Sequence, residues 1–169
     1  MPLTAAILMS MLLAGIEPGT VAPDVSAPNQ DGKIVKLSDF KGSPILLYFY
    51  PKDDTPGCTK EACHLRDAYT KYQKQGIVIL GVSRQDPASH KAFIQKHKLP
   101  FDLLSDEDGS VAKAFGVKSV PLFGWFKRQS VLLDADHKVV KFFDDVDPSK
   151  HADEVLAVAQ QAGKDKTER

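Results

Sequence analysis

The chain has 169 residues, enough for one well-buried domain and too few to argue for two. Basic and acidic residues balance at 22 each, and neither sign gathers into a run, which argues against a phosphate-binding surface and against nucleic acid as a partner. No stretch reaches the roughly 18–20 apolar residues needed to span a bilayer, so no membrane partner is expected.

The first segment, residues 1–18, is apolar. Ala5–Gly15 is apolar enough for the core of an export signal, but no Lys or Arg precedes it and no small-x-small cleavage site follows. Two readings stay open here: an arm that packs or frays on a cytoplasmic protein, and a leader that would send it to the periplasm. Residues 19–163 form the expected domain, and residues 164–169 a polar tail.

From Asp24 onward short β-rich runs alternate with helical periods, the pattern of an α/β protein. Asp31-Gly32 between Val25–Gln30 and Lys33–Leu37 predicts a hairpin. Ile45–Tyr50 and Ile77–Val82 are near-continuous apolar runs, as in central strands covered on both faces. Between them, Thr55–Gln75 carries Ala62, Leu65, Tyr69 and Tyr72 at helical spacing, with Gly76 as a stop. Ala88–His97 predicts the next helix, Phe101–Leu104 a short strand and Gly109–Phe115 a third helical stretch. Val131–Asp134 and Val139–Phe143 read as strands joined across Ala135–Lys138; Ser149 is placed as the cap of a last helix running to about Ala162. Leu122, Phe123, Trp125 and Phe126 are assigned to the core in preference to the lining of an apolar entrance, because large aromatics are usually buried.

The only two cysteines, Cys58 and Cys63, fall in one stretch. Thr55-Pro56 reads as an N-cap and first helical residue, placing Cys58 in the first turn, where free N–H groups and the helix dipole favour a reactive thiolate. Cys63 lies five residues on, and an undistorted helix separates two such Cα atoms by roughly 8–9 Å. That is beyond the roughly 7 Å reach of a disulfide, so pairing requires the first turn to unwind. Four zinc ligands normally come from two clusters; His64 joins the cysteines but no second cluster exists, and no metal or other cofactor is expected. His90, His97 and His151 are placed on polar helical faces as solvated side chains.

Pro51-x-x-x-Thr55-x-x-Cys58, followed by Glu61-Ala62-Cys63 and preceded by the strand Ile45–Tyr50, resembles the active-site signature of the peroxiredoxins. The added Cys63 resembles the bacterioferritin comigratory protein or peroxiredoxin Q subfamily, and the likeness runs from about Gly19 to Ala162 through Phe115-Gly116-Val117 and Arg128–Asp134. The resemblance implies a thioredoxin-like fold: a central mixed β-sheet flanked by helices, with an added N-terminal β-hairpin. It implies a peroxidase in which Cys58 attacks hydrogen peroxide or organic hydroperoxides, Thr55 and helix-start N–H groups hold the peroxide, and Arg128 stabilises the developing charge. Cys63 would then resolve the Cys58 sulfenic acid as an intramolecular disulfide, reduced in turn by thioredoxin or a similar dithiol. That mechanism needs no partner subunit, so a monomer is expected. Glu61 orients Arg128 or simply covers the helix; the residues alone leave both open. The same family commonly has Gly where His137 stands.

Two other classes compete. A thioredoxin-type disulfide oxidoreductase also places a reactive Cys at a helix start, but it uses Cys-x-x-Cys and position 61 is Glu. A thioredoxin-fold binding or chaperone module would make Cys58–Cys63 a structural bridge, against which the strain of unwinding a helix argues.

Overall fold

The computed structural model describes residues 15–169. The hairpin is present but short, β1 (Ser26–Pro28) against β2 (Ile34–Lys36), with Ala27 opposite Val35. Its turn is longer than the Asp-Gly pair suggested. Asn29 Oδ1 accepts the N–H groups of Asp31 and Lys33 at 3.0 and 3.1 Å, and Gly32 supplies the left-handed residue at φ 76°.

The main sheet contains β3 (Ile45–Phe49), β4 (Val78–Ser83), β5 (Asp102–Ser105), β6 (Gln129–Leu133) and β7 (Val139–Phe143), in the order β5-β4-β3-β6-β7. Strands β3, β4 and β5 run parallel, while β6 is antiparallel to β3 and β7 to β6. The sheet is therefore mixed, as expected, and β3 lies at its centre.

Period-two alternation divides the continuous apolar run of β3 between two cores. Leu46, Tyr48 and Tyr50 pack with Cys58, Ala62 and Leu65 of α1 (Pro56–Asp67), Tyr72 of α2 (Tyr69–Lys74), Phe93 of α3 (Pro87–His97), and Val155 of α5 (His151–Thr167). Ile45, Leu47 and Phe49 face the other way, onto Val111 of α4 (Ser110–Ala114), Phe115, Phe126 and the hairpin residues Ala27 and Val35. Helices thus flank both faces.

Several local expectations are corrected. The single helix Thr55–Gln75 is two, broken at Ala68 (φ −88°, ψ 0°), where no Gly or Pro marks a break. Tertiary contacts hold the second piece, since Tyr72 Oη donates to the Ala152 carbonyl at 2.8 Å and Tyr69 packs on Phe101. Ser149 is not the last helix's cap: its N–H and hydroxyl both donate to Asp147 Oδ1, and α5 begins at His151 after Lys150. That helix runs on to Thr167, past Ala162, with Lys166 Nζ 2.9 Å from Asp134 Oδ2.

Of the aromatic cluster assigned to the core, Phe126 is buried and Trp125 partly so, but Leu122 is fully exposed and Phe123 is 65% exposed. Left-handed residues at Leu122 (φ 72°) and Gly124 (φ 68°) turn the chain outward there. His137, in the family's usual glycine position, is left-handed at φ 59°, its ring 3.1 Å from the Phe40 carbonyl.

Candidate active site

Strand β3 delivers the chain through Pro51–Thr55 into α1, so Cys58 lies just past the carboxyl end of the central strand, in the first helical turn. Thr55 is the N-cap, with extended backbone (φ −85°, ψ 155°) and its carbonyl accepting from the Thr59 N–H at 2.9 Å. Its hydroxyl does not cap the helix; it donates to the Lys52 carbonyl at 2.8 Å. The helix-start N–H groups therefore receive no cap from this side chain.

Arg128 reaches Cys58 through sheet register. Gln129 pairs with Phe49 across the antiparallel β3–β6 ladder, so the preceding Arg128 emerges at the end of β3 from which Cys58 follows. Its Nη2 donates toward Cys58 Sγ at 3.4 Å and its Nη1 to Glu61 Oε2 at 2.7 Å. Cys58 and Glu61, three residues apart, share a helix face, which places sulfur and carboxylate under one guanidinium. Gly57 makes room for it: a Cβ there would lie 2.9 Å from Arg128 Nη2.

Glu61 is fully buried and its Oε1 has no hydrogen-bond partner. Burial pushes its carboxyl up to about 7, against the opposing pull of the Arg128 charge and hydrogen bond. Burial also works against the Arg128 charge, but Glu61 and Cys58 outweigh it and hold the guanidinium above its ordinary value. Glu61 therefore orients Arg128, resolving the choice open at the level of residues.

Cys63 sits on the same unbroken helix, partly buried, and both thiols are free. Helical rotation turns it away from Arg128 toward the end of α3, where its Sγ lies 4.0 Å from His97 Nδ1. The histidine expectation fails for two of the three side chains: His90 and His151 are completely buried. His90 shares the inward stripe of α3 with Phe93 and meets Asp53 Oδ2 at 2.7 Å and the Leu104 carbonyl at 3.0 Å. His151 Nε2 lies 2.8 Å from Ser130 Oγ, and burial, reinforced by Arg128, pushes its ring down to about 4. His97 keeps 18% side-chain exposure. Among the described residues, no group of three or more His, Cys, Asp or Glu is arranged to hold a metal ion.

A thiol at a helix start, under an arginine that compensates negative charge, on a mixed sheet with this order, defines a thiol-dependent peroxidase of the thioredoxin-like class. Comparison with known proteins agrees. The model of the AhpC/TSA family matches residues 18–142. Peroxiredoxin Q, chloroplastic, of Triticum aestivum is 49% identical over 147 residues, covering 86% of this chain and 67% of that one. The crystal structure of peroxidoxin BcpB from Mycobacterium tuberculosis superposes with a TM-score of 0.81 at 33% identity, over 86% of this chain and 97% of that one. A Xanthomonas campestris bacterioferritin comigratory protein, described for its alkyl peroxide reduction activity, gives a TM-score of 0.78 at 32% identity over 86% and 99%. The chain belongs to the AhpC/TSA family, in its peroxiredoxin Q branch, and is a peroxidase that reduces peroxides through a thiol.

Proposed function

We propose that the peroxidase cycle runs on Cys58 and Cys63. The Cys58 thiolate attacks one peroxide oxygen; the O–O bond breaks, the sulfur becomes sulfenic acid, and the other oxygen leaves as water or alcohol after taking a proton. The contact that carries this reading is Arg128 Nη2 on Cys58 Sγ at 3.4 Å, with Glu61 holding the same guanidinium from behind. It supports Arg128 as the group that stabilises the sulfur and then the leaving oxygen. Thr55, its hydroxyl proton committed to Lys52, offers lone pairs that accept a hydrogen bond from the peroxide.

Cys63 condenses with the sulfenic acid, expelling water and forming the Cys58–Cys63 disulfide, which thioredoxin or a similar dithiol reduces. Cα atoms roughly 8–9 Å apart on one helix require α1 to open for that step. Organic hydroperoxides as well as hydrogen peroxide are proposed substrates. The outward turn at Leu122 and Phe123 supports this, because Phe123 stacks on Trp125 and Lys52 Nζ lies 5.6 Å from the Trp125 ring, beside the loop that holds Thr55. The alkyl peroxide activity of the Xanthomonas protein points the same way.

A monomer suffices, since both cysteines lie in one helix. Among the described residues no helix is long and apolar enough to cross a membrane. A cycle that needs a dithiol donor fits a reducing compartment. We place the protein in the cytoplasm, with the periplasm as the alternative should residues 1–18 act as an export leader, while the wheat relative is chloroplastic by name.

The test is peroxide consumption coupled to thioredoxin, thioredoxin reductase and NADPH. Turnover lost in both Cys58→Ser and Cys63→Ser, with a single-turnover sulfenic acid retained in the latter, is the expected result. Normal turnover in Cys63→Ser removes it as the resolving thiol, and a wild type inactive with every peroxide and dithiol returns the binding-module reading.

A further inference from the structure

Cys63 does not lie against an inert surface. Its sulfur faces His97, the last residue of α3, and the other side of that ring is held by a residue from the active-site loop: His97 Nε2 lies 3.1 Å from Asp54 Oδ1. A carboxylate only accepts hydrogen bonds, so the Asp54 contact requires the proton on Nε2. In the neutral ring this leaves Nδ1 as a bare lone pair, aimed at the Cys63 thiol.

Asp54 is itself held in place. Its backbone is left-handed at φ 58°, a region Asp enters more readily than most residues, and its second oxygen takes Lys96 Nζ at 2.7 Å. The ring is also fixed edge-on against Phe93, with centroids 5.2 Å apart, and Arg66 of α1 donates to the His97 carbonyl at 2.7 Å. Three elements therefore converge on this imidazole: the β3–α1 loop, α1 and α3. The charged or titratable groups facing it are Asp54 from the loop, Cys63 and Arg66 from α1, and Lys96 from its own helix; Arg66 is in turn paired with Asp67.

We propose that His97, oriented by Asp54, is the general base that converts Cys63 into the attacking thiolate during disulfide formation. This deepens the two-cysteine reading and rests on it. The thiol proton passes to His97 Nδ1, giving imidazolium and thiolate. As α1 opens, the Cys63 sulfur attacks the Cys58 sulfenic sulfur, the S–S bond forms, the S–O bond breaks, and the departing hydroxide leaves as water with the proton from His97. Asp54 is a positioning residue: it sets the tautomer and compensates the imidazolium charge. Because Asp54 lies one residue before Thr55, the peroxide-binding loop and the base are tied to each other.

The gain has a ceiling. An ordinary thiol titrating near 8.5 is about 3% ionised at pH 7, so complete proton transfer accelerates attack by at most roughly 30-fold. Two measurements test the proposal. In a Cys58→Ser background, the iodoacetamide reaction of Cys63 is followed from pH 5.5 to 9.5 with and without His97→Gln. In otherwise wild-type protein, the lifetime of the Cys58 sulfenic acid after one equivalent of hydrogen peroxide is followed by dimedone trapping for His97→Gln, Asp54→Asn and Cys63→Ser.

The expected result is a Cys63 alkylation rate at pH 7 lowered about tenfold by His97→Gln, the gap closing above pH 9, and a sulfenic acid that persists about 10- to 30-fold longer. Asp54→Asn falls between, and added imidazole partly restores His97→Ala, which a merely structural histidine does not allow. Unchanged Cys63 alkylation in His97→Gln overturns the proposal. A sulfenic acid equally short-lived in wild type and Cys63→Ser overturns the resolving role instead, and the alkylation profile still reads the thiol–imidazole pair.

Discussion

Replacing Arg128 with methionine removes the positive charge that opposes Glu61 in its buried site, and the cost of that loss depends on pH in a way the geometry sets. In the wild type, burial holds the Glu61 carboxyl at about 7 against an ordinary 4.5, with Arg128 working to lower it. Without Arg128 the carboxyl rises further. At pH 6 the buried Glu61 is protonated in both proteins, so its titration adds nothing to their difference. Above pH 7 the wild type releases this proton on the folded side while the variant keeps it, and the variant falls behind by about 1.4 kcal/mol for each pH step.

Between pH 6 and 8.5 the gap therefore widens by about 2 kcal/mol. That is less than the 3–5 kcal/mol often seen when one partner of a buried pair is removed, because protonation gives the carboxyl an escape. Urea unfolding of the reduced proteins at the two pH values reads it as a midpoint difference that grows by roughly 1 M, for slopes of about 1–3 kcal/mol per molar. Adding Glu61→Gln to Arg128→Met should abolish the widening. A difference equal at both pH values, or a widening that survives Glu61→Gln, would refute the assignment of Arg128 as the counter-charge of Glu61.

Gly57→Ala should keep the fold, since its Cβ meets the mobile end of Arg128 at 2.9 Å, but displace the guanidinium from Cys58. Loss of one charge-assisted hydrogen bond, about 1.5–3 kcal/mol, lowers kcat/KM for peroxide about 10- to 100-fold; wild-type kinetics would mean that this contact does not serve the reaction. Burial holds His151 at about 4 in the folded state against 6.5 unfolded, so as pH falls from 6.5 to 4 the unfolded chain takes up a proton the native site refuses, and roughly 3 kcal/mol of stability is lost. Glu61 works in the opposite direction over nearly the same window, so His151→Asn should leave a protein whose stability increases as pH falls from 7 to 4.5, measured by unfolding midpoints; an unchanged pH profile contradicts the burial account. Oxidation should accelerate amide hydrogen exchange from Thr55 to Arg66 by more than about tenfold, because the disulfide cannot form on an intact α1; equal protection in the two states removes the opening step.

Much of this protein was legible from local chemistry. Cysteine at a helix start after an apolar strand is a short-range arrangement, and Thr55-Pro56 announces it without any knowledge of the rest of the chain. The apolar runs of β3 and β4 located the sheet's centre, since strands covered on both faces leave no polar alternation. The five-residue spacing of the cysteines carried its mechanical consequence from helical geometry alone.

Contacts distant in the chain lay beyond that reach. Arg128 meets Cys58 across 70 residues because Gln129 pairs with Phe49, a register that no local pattern encodes. Glu61 could be read as a surface residue until the guanidinium above it arrived from the residue just before β6. The same holds for His97, whose residue type suggested solvent but whose place at the end of the Phe93 stripe puts its ring between Asp54 and Cys63. Leu122 and Phe123 erred in the other direction: hydrophobic character argued for burial, while left-handed turns at Leu122 and Gly124 carried them outward. Periodicity assigns a residue to a helix or a strand, but which face is buried, and against which charge, is decided only when the sheet brings its strands into register.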